Sequence, residues 1–214
     1  MSNRDVVRAL LDRAGTTYAA EAGIALDDKP APLFQLLMLT DLLSARISAD
    51  IAIAATTELV DSGYRTARKV ADADWQDLVD ALGRGHYRRY DESTASQLGE
   101  AATTAIEKYH GDLRKLAEEA GHDTGRAAEL IQQFKGIGPT GGDIFLREVQ
   151  DVWTWVRPYF DERALRGADK VGLPTERREL ARLAPPDRAA ELAAALVRIG
   201  LDDDAAADVR SAAG

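Results

Sequence analysis

Apolar residues along this chain recur at intervals of three and four, and no stretch alternates apolar with polar over the length of a strand. The pattern predicts an all-α fold. Val6, Val7, Leu10 and Leu11 mark one face of a helix over residues 4–14, and a polar linker with Asp27, Asp28, Lys29, Pro30 and Pro32 follows. The run from Leu33 to Leu43 is apolar on nearly every side, as expected of a helix buried through the middle of a domain. Further helices are expected over 50–61, 65–70, 74–82, 92–108, 111–119, 124–134, 139–149 and from 161 to about 171. A last one opens at Pro185-Pro186-Asp187 and runs through Ile199, and an Ala/Asp-rich stretch from about 201 reads as a flexible tail.

At 214 residues the chain is long enough for one large core or two smaller ones. It contains no cysteine, which excludes disulfides, thiolate metal sites and iron–sulfur clusters; no metal site and no cofactor is expected. No apolar run approaches the roughly 18 residues of a membrane span, and nothing at the N-terminus has the pattern of a secretory signal, so a soluble, cytoplasmic protein is expected. The formal net charge is −9, which weakens long-range attraction to a polyanion. Its distribution is uneven. Asp202, Asp203, Asp204 and Asp208 gather near the C-terminus, whereas basic clusters occur at Arg65, Arg68 and Lys69, at Arg84, Arg88 and Arg89, and at Arg163, Arg166 and Lys170.

The stretch with the most definite chemistry is Lys135-Gly-Ile-Gly-Pro-Thr-Gly-Gly-Asp143, between two expected helices. Gly136 and Gly138 permit a sharp turn and a close approach of backbone to ligand, and Pro139 suits the first position of a helix. This is the pattern of a helix-hairpin-helix, whose free amides at the start of the second helix suit a phosphate. A plain tight turn fits the same residues. Gly141 and Gly142 each cost a helix about 1 kcal/mol relative to Ala, which implies close packing there or a late helix start. The loop Gly85-His-Tyr-Arg-Arg-Tyr90 offers aromatics and cations for bases and phosphates, or else Tyr87 and Tyr90 anchor it on the core. Trp153 and Trp155 read as core residues. Asp161 is a strong N-cap candidate for the helix that follows it.

In their order along the chain these pieces resemble the helix-hairpin-helix DNA glycosylase superfamily, in the branch of endonuclease III and adenine glycosylase. Phe134-Lys-Gly-Ile-Gly-Pro-Thr-Gly-Gly142 occupies the frame of the family hairpin, Leu42-Leu-Ser-Ala-Arg-Ile-Ser48 is similar to its Leu-Leu-Ser-x-Gln segment, and Gly85-His-Tyr-Arg88 to its wedge loop. Phe160-Asp-Glu-Arg-Ala-Leu-Arg-Gly-Ala-Asp-Lys-Val-Gly-Leu-Pro174 matches the frame of its catalytic segment without a gap. The likeness covers residues 31–174. It implies two helical lobes with a DNA-binding cleft between them, one over 31–155 with the hairpin motif at about 124–149, the other from 1–30 and 156–214.

The resemblance further implies a monomer acting on double-stranded DNA in base excision repair. Asp161 takes the catalytic carboxylate position, preferred to Asp151 because the residues after Asp151 leave the pattern. A carboxylate there would stabilise the oxocarbenium-like sugar formed when an N-glycosidic bond breaks. DNA contacts fall to Lys135, Gly136, Gly138, Thr140 and Gly141 of the hairpin, Arg46, and His86, Tyr87 and Arg88 of the wedge loop. Thr140 stands where bifunctional relatives carry a Schiff-base lysine, so a glycosylase without strand cleavage is implied. Arg46 and His86 are unusual for the family, which leaves a non-catalytic binding module on the same scaffold as the alternative.

Overall fold

The computed structural model describes residues 2–213. Their order is α1 (Asn3–Ala14), α2 (Tyr18–Glu21), α3 (Pro30–Ser44), α4 (Ala49–Asp61), α5 (Ala67–Ala71), α6 (Trp75–Arg84), α7 (Asp91–Tyr109), α8 (Arg114–Glu119), α9 (Thr124–Ile131), α10 (Pro139–Val149), a 3-10 turn at Thr154–Val156, α11 (Glu162–Lys170), α12 (Arg177–Ala181), α13 (Ala189–Leu201) and α14 (Asp203–Ala213). The described residues contain no strand, and no helix among them is long and apolar enough to cross a membrane.

Two compact units emerge, Ala19–Phe145 and the combined termini Met1–Tyr18 with Leu146–Gly214. The boundaries differ from the 31–155 division read in the sequence. The segment after residue 18 is not a bare linker: Ala19, Ala22 and Ile24 are buried, and Thr57 of α4 donates to the carbonyl of Ala22 at 3.4 Å.

Within Ala19–Phe145, α3 is the central element. Leu33, Phe34, Leu36, Leu37, Met38, Leu39 and Leu42 are all buried, as the unbroken apolar run predicts, and the helix packs on α4 and α7. It begins earlier than expected, because Pro30 and Pro32 lie in the first turn, where a missing N–H leaves no bond unmade. Asp74 caps α6, its side chain accepting from the Gln76 amide at 2.8 Å. α9 stops at Ile131, and residues 132–138 form a turn rather than running straight on as helix.

In the unit of the termini, α13 is the central element, with Leu192, Ala193, Leu196, Val197 and Ile199 buried against α1, α11 and α14. The approach of α11 to α13 is close enough to require glycine: a Cβ on Gly167 would lie 1.9 Å from the Leu196 carbonyl oxygen. The flexible tail expected from about 201 is instead α14. Its acidic residues lie on the outer face, while Ala206 and Val209 are buried in the same core as Val6, Leu10 and Leu196. The apolar residues three apart outweigh the aspartates around them.

Candidate functional site

The hairpin is built as its glycines suggest. After α9 the chain turns through Gly136 at φ +88°, a left-handed conformation that other residues adopt with strain. Gly138 then accepts the first bond of α10, from the Gly142 amide at 3.0 Å, with Pro139 at the first helical position. Lys135, Gly136, Gly138, Pro139 and Thr140 are exposed, and Ile137 is tucked inward. Gly141 and Gly142 are buried. A Cβ on Gly141 would come within 2.6 Å of the Ser44 hydroxyl and 2.7 Å of Ile137, so the inner side of this glycine serves packing against α3.

The loop after α6 divides its residues between two tasks. His86, Arg88 and Arg89 are exposed, and His86 is held at φ +64°. Tyr87, expected among the DNA contacts, is 1% exposed, with its hydroxyl 3.4 Å from that of Thr94. Its ring anchors the loop on the core, the alternative that the loop sequence also offers. Gly85 completes the anchor, since a Cβ there would collide with the Ala55 backbone at 2.3 Å. Arg46, just past the end of α3, is exposed, as its position predicts.

Beside the hairpin, in the same unit, is a cavity of about 330 Å³ lined by Asp41, Ser44, Arg46, Tyr90, Gln97 and Gly136 among others. Asp41 is the residue that the sequence reading missed. It lies on α3, 5% exposed, and its Oδ2 has no hydrogen-bond partner among the described residues. Burial pushes its carboxyl up from the usual range to about 7. An acid in that state holds a proton near neutrality and can give it to a bound group. The sequence did carry the signal, since Asp41 is the one charged residue in the apolar run Leu33–Leu43 and buried carboxylates are rare without a partner.

Asp161 lies in the other unit, at the N-cap of α11, where its Oδ1 accepts from the Ala164 amide at 3.0 Å. Its Oδ2 accepts from Arg147 Nη1 at 2.8 Å, and the two side chains are 3% and 2% exposed. No local sequence pattern points to Arg147, fourteen residues earlier, as its partner. Asp151, the competing carboxylate, accepts from the Ala189 and Ala190 amides at 3.2 and 2.8 Å and pairs with Arg157 at 3.0 Å, capping α13. Trp153 and Trp155 stack with centroids 5.4 Å apart.

No protein-family model matches the chain, and no curated protein matches it. Among solved structures it is similar to a trapped covalent intermediate of endonuclease III with DNA, in an estranged-adenine complex, at 16% identity and a TM-score of 0.47. It is also similar to a non-covalent complex of endonuclease III with DNA, at 17% identity and a TM-score of 0.49. Each match covers 92% of this chain and 85% of the other.

Proposed function

We propose that the protein is a DNA glycosylase that hydrolyses the bond between a damaged or mismatched base and deoxyribose in duplex DNA. The observation that carries this reading is Asp41, an unpartnered buried carboxyl in a cavity beside an exposed glycine hairpin. Exposed Lys135, Arg46 and Arg88 lie in the same unit and supply cations for phosphates, with exposed His86 beside Arg88 in the chain. The amides of Thr140 and Gly141 open α10, where helix geometry leaves them without an intrahelical acceptor. A base extruded from the stack enters the cavity, at a cost of a few kcal/mol that is least where pairing is already weak.

The chemistry then needs a proton on the leaving base and negative charge near the sugar. Asp41 gives its proton to a ring nitrogen of the base as the C1′–N bond breaks and the bond pair leaves with the base. Water adds to C1′ of the cation and yields its proton to the Asp41 carboxylate or to solvent, leaving an abasic site. Asp161 is proposed, from its place in the family frame, as the carboxylate that stabilises the sugar cation. With Thr140 at the frame position of the lysine nucleophile, the strand stays uncut. The test is a panel of duplexes carrying different lesions, incubated with the protein and then cleaved with or without alkali. Strand breaks that require alkali are expected on at least one lesion; none on any lesion removes the enzymatic reading.

One observation favours a second reading, a non-catalytic DNA-binding module. The guanidinium of Arg147 on Asp161 offsets the negative charge that a sugar cation would need. Duplex binding with no base release from any lesion is the result that this reading expects.

A further inference from the structure

Gly136 does two things at once. Its outer side is exposed on the hairpin, and its inner side is pressed against the acid: a Cβ would lie 2.3 Å from Asp41 Oδ1 and 2.8 Å from Gln97 Oε1. Among the described glycines with positive φ, Gly136 alone shows such contacts; Gly23, Gly63, Gly111, Gly121 and Gly172 have nothing within 4 Å of the added atom. A bare Cα at this position is therefore required by the carboxyl as well as by the turn.

We propose that Gly136 is a positioning residue that joins the hairpin to Asp41, so that a phosphate seated on the hairpin and a proton on Asp41 are bound together. The inference rests on the function proposed above and adds a coupling to it. Its physical basis is the shortness of the path. A phosphate touching the exposed side of Gly136 sits within several ångströms of the carboxyl on the other side, and like charges that close disfavour one another. Protonation of Asp41 removes the repulsion, so anion binding favours the protonated acid and the protonated acid favours the anion. DNA arriving at the hairpin thereby loads the proton that base release consumes.

The ionisable groups facing Asp41 are few. Arg46 comes from beyond the end of its own helix, Tyr90 from the start of α7, and Tyr87 from the preceding loop. Burial alone, with no neighbouring charge, accounts for the direction in which Asp41 is shifted. The wall formed by Gly136 and Gln97 is what maintains that burial.

Two measurements on the full chain test the proposal. In the free protein, the Asp41 side-chain carboxyl is titrated by carbon NMR in the wild type, Gly136→Ala and Gln97→Ala. An added methyl drives the carboxyl into the cavity, and loss of the amide opens the same wall without backbone strain. Both variants are expected to lower the midpoint by about one pH unit or more as water reaches the carboxylate. An unchanged midpoint in Gln97→Ala, and in Gly136→Ala where it folds, overturns the positioning role. With a short undamaged duplex at pH 7.5, calorimetry in buffers of different ionisation enthalpy is expected to show uptake of about 0.5 proton per site in the wild type, lost in Asp41→Asn. Binding with no uptake, or with uptake that persists in Asp41→Asn, overturns the coupling alone. Absence of any duplex binding overturns the coupling together with the function on which it rests.

Discussion

Asp41 holds its proton because water is kept from it, and this gives the fold a definite response to pH. The carboxyl sits at about 7 in the folded state against a reference of 3.8, so between those values the folded chain keeps a proton that the unfolded chain releases. Stability linked to this group is fully present below pH 4 and is lost as pH rises through 7. Three pH units at about 1.4 kcal/mol each put the whole change on the order of 4 kcal/mol. Urea unfolding from pH 4 to pH 9 is expected to show the wild type losing stability relative to Asp41→Asn by that order, with most of the change complete by pH 8. At Asp161 the expectation differs in kind. Asp161→Asn retains an N-cap side chain but leaves the buried Arg147 guanidinium without its counter-charge, a loss of about 3 kcal/mol or more. Addition of Arg147→Met is expected to restore most of it. Loss of base release in Asp161→Asn is therefore to be read only beside the double variant, in which stability and catalysis separate.

Helix pairs carry the next level of constraint. At the crossing of α11 and α13, Gly167→Ala places a methyl against the Leu196 backbone, which cannot move aside as a flexible side chain would. Overpacking of this kind costs about 1–3 kcal/mol or more, measurable as a shift of the urea midpoint. Most elements were legible in the sequence because their apolar positions repeat at helical spacing over two turns or more, as in α1, α7 and α13, or run unbroken, as in α3. Short elements were not. α2 and α12 have four and five residues, too few for a period to register. α14 was hidden by its charge, since Asp203, Asp204 and Asp208 mask the pair Ala206 and Val209 that a core one helix away makes decisive. The hairpin was legible because glycine and proline act locally, through φ and a missing N–H. The acid pocket was not, because it joins residues 41, 97 and 136, and no local pattern states that three distant segments meet. Arg147 and Asp161 illustrate the same limit: an N-cap can be read from neighbours in sequence, whereas a partner fourteen residues away cannot.

For the whole molecule, a net charge of −9 and the duplex ligand proposed above set opposing demands. On that proposal, binding comes from a few cations at the hairpin side rather than from the overall field. If Lys135, Arg46 and Arg88 each neutralise one phosphate, affinity for an undamaged duplex is expected to fall about 40-fold between 50 and 200 mM salt. A salt-independent association would place DNA elsewhere or nowhere on this surface. Salt is expected to weaken binding at every pH, whereas lowering the pH through 7 is expected both to tighten binding, through the coupling to Asp41, and to speed turnover. The central claim is that Asp41 supplies the proton for base release, and single-turnover release from a cleaved lesion duplex between pH 5.5 and 9 tests it most directly. The account predicts a rate in the wild type that falls about tenfold per pH unit beyond the midpoint of the DNA-bound acid, which the coupling sets above 7, and a rate in Asp41→Asn at least about 100-fold lower near pH 6. An Asp41→Asn protein that releases base at the wild-type rate, with the same dependence on pH, contradicts it.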